Sequence, residues 1–135
     1  MVLENIKYMI TDITYQYTYD ISDLQKIIYV IMKRIMDYSI SNSIDPDLLF
    51  AKISNNSKTL PIEFLLKFMI NEVYKSFVKF ELEIFSKYVD YERNNILYKE
   101  DIDSKVIVFV KTLLAENELK IENGLLETKS EVILN

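Results

Sequence analysis

The chain contains no cysteine and no histidine, one glycine, two prolines, two alanines and two arginines. Without cysteine there is neither a disulfide framework nor a thiolate metal site. Without histidine the commonest metal ligand and general base is gone, so catalysis would have to rest on carboxylates, lysine or tyrosine. A single glycine excludes the phosphate-cradling and dinucleotide-binding loops, which need several. Long hydrophobic runs are missing as well. The longest uninterrupted apolar stretch, Ile27 to Met32, is far too short to cross a bilayer, and no basic segment leads into an apolar run of signal-peptide length. These absences predict a chain that is not an enzyme, takes no cofactor or metal, has no membrane association and works in the cytoplasm.

What is present is greasy and aromatic. Half of the 135 residues are hydrophobic and 13% are aromatic, with a net charge of −5. That is enough apolar surface for one helical domain over 1–135 to bury a core. Isoleucine, lysine, tyrosine, asparagine and phenylalanine abound, as AT-rich codons dictate. The ten tyrosines therefore carry meaning only through where they stand.

The stretch "TYQYTYDI", Thr14 to Ile21, places a tyrosine at every second position. A strand would account for Tyr15, Tyr17 and Tyr19, but it leaves Leu3, Ile6, Ile10 and Ile13 unexplained. Together with Tyr17 these recur in steps of three and four, the spacing of one helix face. The periodicity predicts a helix up to about Tyr19 with two faces: an aliphatic one and, almost opposite, one bearing Tyr8, Tyr15 and Tyr19.

Further elements follow from caps and periods. Ser22 with Gln25 fits a capping box, and Leu24, Ile27, Ile28, Ile31, Ile35 and Tyr38 give the helix a wide apolar face that ends in the polar run Ser39 to Ser43. Asp45 and Pro46 open a short helix through about Ile53. From Pro61 to about Arg93 a near-3.6 period through Ile62, Leu66, Met69, Val73, Phe77, Phe80, Ile84, Tyr88 and Tyr91 predicts one long central helix. Asp103 or Ser104 would cap a last helix, Lys105 to Glu116, although "VIVFV" at Val106 to Val110 also reads as a buried strand. Asn123 and Gly124 mark a tight hairpin. The expectation is an all-α fold of about five helices around 61–93, with a small carboxy-terminal β-hairpin. Helix followed by hairpin, about 95–135, is also the element order of winged-helix domains.

The carboxylate pairs Asp45 with Asp47, Asp101 with Asp103 and Glu116 with Glu118 could contribute to a hard-cation site, but caps and solvated surface are the simpler reading. Asn55, Asn56 and Ser57 match a glycosylation acceptor without an export signal to make it meaningful. Lys52, Lys58, Lys67, Lys75 and Lys79 are the densest run of lysines and the candidates for a phosphate-binding strip. The tyrosine face fits partner binding better, because tyrosine gives large contact area at low entropic cost.

The function expected is a non-enzymatic protein–protein interaction or assembly module, encoded by a virus or plasmid with an AT-rich genome. It would bind a host protein or a second copy through Tyr8, Tyr15 and Tyr19. The alternative is a nucleic-acid-associated factor, a winged-helix-like subunit of a replication or transcription complex.

Overall fold

The structure, a computed structural model, describes residues 21–119. The fold is all-α with one small two-stranded antiparallel sheet. The first described helix, α1, spans Ile21–Ser41, with Ser22 its second residue. Its expected face is the one buried: Leu24, Ile28, Ile31, Ile35 and Tyr38 are each at most 5% exposed.

The end of α1 explains how a glycine-poor chain stops a helix. Ser43 takes φ 52°. Its amide donates to the Ile40 carbonyl at 3.2 Å, and the Ile44 amide donates to the Ser39 carbonyl at 2.9 Å. This is the Schellman closure, built on serine where glycine is usual. Asp45 then accepts the Asp47 amide at 3.0 Å, and the expected Asp45 and Pro46 start is realised as a 3-10 turn, Pro46–Leu48, running into α2, Leu49–Ser54. The same Schellman pair of hydrogen bonds closes α2, now on Asn55 at φ 53°.

The long central helix is not formed as one piece. Helix α3, Ile62–Phe68, widens into a π-turn, Met69–Val73, and Tyr74 is extended with φ −159°. A link to Val78 follows, and α4 spans Lys79–Val89. An unbroken helix over 61–93 would measure roughly 50 Å, longer than the roughly 35–40 Å diameter of a compact domain of this size. Folding the segment back on itself lets Phe77 enter the core at 9% exposure, and the apolar period survives in both pieces. The new helix starts where the Glu81 carboxylate accepts the Val78 amide at 3.0 Å.

Strand β1, Thr59–Pro61, pairs antiparallel with β2, Ile96–Tyr98, in the register Leu60 opposite Leu97, both fully buried. The ribbon joins the two ends of the α3–α4 hairpin. The expected hairpin at Asn123 and Gly124 lies outside the described residues, so this sheet is a different one.

The last helical stretch starts earlier than its expected cap. Helix α5, Lys99–Ile102, continues through a second π-turn, Asp103–Ile107, into α6, residues 108–119. The Asp101 carboxylate accepts the Tyr98 amide at 2.9 Å and so supplies the cap. Ser104 is inside the helix, its hydroxyl donating to the Glu100 carbonyl at 2.7 Å. The stretch "VIVFV" is helical: Val106, Ile107, Phe109 and Val110 are buried and Val108 is exposed, which no strand alternation produces. All of these helices and the ribbon contribute to one buried apolar cluster.

Candidate functional site

The link between α3 and α4 shapes the surface that stands out. Arg34, on α1, lays its guanidinium carbon 3.7 Å from the Tyr74 ring centroid and 5.2 Å from that of Phe77. The two rings meet edge to face at 5.2 Å. Glu81 completes the clamp: one carboxylate oxygen lies 3.7 Å from the Arg34 guanidinium, and the other holds the Val78 amide. A cation over an aromatic face is attracted by the ring quadrupole, so Arg34 ties the link to α1, beside the backbone hydrogen bond from the Tyr74 amide to the Met69 carbonyl at 2.9 Å.

Beyond the clamp, α3 and α4 splay to leave an open apolar trough of about 750 Å³. Its floor is Leu66, Ile70, Phe77 and Leu82, and Lys79, Glu83 and Lys87 stand on its rim. Ile70 is 38% exposed and the neighbouring Val78 56%. A second groove, about 680 Å³, lies between the α2–β1 loop and the start of α5. Its lining combines Phe50 and Ala51 with the charged side chains Lys58, Lys99, Glu92, Glu100 and Asp101, beside the exposed Tyr98. A third, about 360 Å³, includes Arg34, Asp37, Asn42, Glu72 and Tyr74.

The outward amides are occupied at both sides of the ribbon. The Ile96 amide donates to Asn94 Oδ1 at 3.2 Å, the Tyr98 amide to Asp101, and the Thr59 amide to Ser57 Oγ at 3.4 Å. Pro61 has no N–H to offer. With its outward donors occupied, the ribbon is a poor template for another strand.

The loop from α4 to β2 hangs on one carboxylate. Asp90, 7% exposed, accepts the Asn94 amide at 3.2 Å and the Asn95 amide at 2.9 Å, while Arg93 and Asn95 turn the chain at φ 57° and 64°. Beside it, Lys105 Nζ donates to the Val89 carbonyl at 3.1 Å, and burial lowers its pKa. On the same helix pair burial raises the Tyr88 phenol.

Two of the three carboxylate pairs of the sequence reading act as caps and ion pairs: Asp45 and Asp101 accept backbone amides. Asp47 pairs with Lys111 at 3.1 Å, and Asp103 with Lys99, whose pKa the Asp103 hydrogen bond and charge raise. Among the described residues no three metal-ligating side chains come together, and no helix is long and apolar enough to cross a membrane.

The candidate lysines are dispersed. Lys52 lies 5.7 Å from the Tyr38 ring centroid and Lys67 lies 5.9 Å from that of Phe64. Lys58 lines the second groove, Lys79 the apolar trough, and Lys75 is exposed on the link. Tyr8, Tyr15 and Tyr19 lie outside the described residues. The trough escaped sequence reasoning because its floor joins both halves of what read as one helix. Comparison with protein-family models, with curated proteins and with solved structures finds no match.

Proposed function

We propose that this chain is a non-enzymatic protein–protein interaction or assembly module, a virus- or plasmid-encoded accessory protein from an AT-rich genome, that binds a host protein or itself. The observation that carries the reading is the trough: a contiguous apolar floor of Leu66, Ile70, Phe77 and Leu82 left open between two helices. An open apolar trough between helices suits an amphipathic helix. With the outward amides of the ribbon already occupied, helix docking is the mode best supported. The codon-driven composition supports the source.

The test is solution mass and partner retention of the parent chain against the variant Tyr8→Ser/Tyr15→Ser/Tyr19→Ser. The expected result is a lower assembly state or loss of the bound protein. A triple variant that keeps the parent's mass and every partner overturns the tyrosine interface.

A further inference from the structure

We propose that the trough takes the exposed stripe of α6 from a second copy of this chain, so that copies join head to tail. The inference rests on the interaction reading above and names the surfaces of its self-assembly.

Helix α6, residues 108–119, buries Phe109, Val110 and Leu113 in the core and leaves Val108, Thr112, Ala115 and Leu119 in solvent. Their steps of four, three and four put all four on one stripe. Val108 and Leu119, 45% and 58% exposed, stand at its two ends. Between them Thr112 and Ala115 are short, which lets a helix axis settle close to a groove floor. The Thr112 hydroxyl already donates to the Val108 carbonyl at 2.8 Å, so covering it strands no donor. From Val108 to Leu119 the stripe is roughly 17 Å long, and the eleven residues of α4 measure about the same.

Charge agrees with that seat. Lys79 and Lys87 outnumber Glu83 on the rim of the trough. On α6 the exposed Glu116 and Glu118 flank the stripe, while Lys111 is bound to Asp47 of its own chain at 3.1 Å. Among the described residues the two surfaces therefore carry opposite sign. None of the residues that line the trough comes from α6, so trough and stripe are separate patches and a contact between them is heterologous. Each copy in a pair keeps one patch open, and the assembly grows as a chain or closes as a ring.

Two variants that block opposite ends test the contact. Ala115→Glu/Leu119→Glu spoils the stripe at exposed positions, and Ile70→Glu blocks the trough. Lys79→Glu, on the exposed rim, takes the place of Ile70→Glu if the latter loses its helical circular dichroism. Sedimentation from about 1 µM to about 1 mM covers the affinities of small interfaces. The parent should pass beyond a dimer as concentration rises, and each variant should assemble about 30-fold more weakly. An equimolar mixture of the two should form a one-to-one pair, because one variant supplies an intact trough and the other an intact stripe. A parent that stays monomeric, or that stops at a twofold dimer, overturns the contact. So does a variant that assembles as the parent does, or a mixture that forms no pair. The contact uses none of Tyr8, Tyr15 and Tyr19, so its failure and that of the tyrosine interface appear in different variants.

Discussion

The Tyr88 hydroxyl donates to the main-chain carbonyl of Lys105 at 2.8 Å, and that carbonyl belongs to the π-turn Asp103–Ile107. A π-turn takes carbonyls out of the regular i to i−4 ladder, and here a side chain from α4 donates to one of its carbonyls. Tyr88→Phe is expected to cost about 1 kcal/mol at neutral pH. Tyr38 supplies the contrast, since its hydroxyl is buried without a hydrogen-bond partner among the described residues. Tyr38→Phe is expected to be neutral or to stabilise by up to about 1 kcal/mol. Urea midpoints of the two variants, compared with the parent, check both.

The same pair sets an alkaline limit. Burial holds the folded Tyr88 phenol protonated above its ordinary value, so above about pH 10 the unfolded chain releases a proton that the fold retains. Stability therefore falls with rising pH, by about 1.4 kcal/mol per pH unit for this group. Lys105 acts oppositely: its folded pKa is lowered, so its contribution rises with pH between that value and about 10.4. Denaturant midpoints from pH 9 to about 11.5 should fall less steeply in Tyr88→Phe than in the parent.

Removing the clamp should loosen the link. Arg34→Met is expected to lose about 1–2 kcal/mol and to speed amide exchange over residues 74–78. Arg34→Lys should recover less than half, because ammonium lacks the flat face that stacks on Tyr74 and Phe77. Exchange at the link unchanged by Arg34→Met would show that backbone, not the guanidinium, holds it.

Asp90→Ala strips the acceptor from two amides in a buried turn. The expected loss is about 2–4 kcal/mol, since hydrogen bonds to a charged acceptor are worth about 1.5–3 kcal/mol. Asp90→Asn keeps one oxygen acceptor and should fall between. Thermal melting of the three proteins ranks them.

Ser43 occupies a backbone region that disfavours a side chain. Ser43→Gly should stabilise by about 0.5–1 kcal/mol, the left-handed strain outweighing the added backbone entropy of glycine. Asn55→Gly should gain less, because asparagine tolerates this conformation. Equal gains at both sites would mean that the residue type is immaterial there.

Much of the fold was legible where the signal is local. The face Leu24, Ile28, Ile31, Ile35 and Tyr38 is buried as its spacing demands, and Asp45 caps the turn begun by Pro46. The reversal between Val73 and Lys79 was invisible because the apolar residues on either side keep the same helical phase, and the partner that meets the link, Arg34, is distant in sequence. The ribbon was missed for a related reason. Three-residue strands carry too little alternation to register, and Leu60 and Leu97 find each other only across the α3–α4 hairpin. The trough shares that origin, and the tyrosine face falls outside the described residues.

That ribbon has a kinetic corollary. Its strands are not joined by a turn, so it cannot zip from one end; closure waits until the intervening helices have docked and brought their termini together. Native-state exchange at the Leu60 and Leu97 amides should accordingly track global opening, making this short pair of strands a reporter for the completion of folding rather than its nucleus.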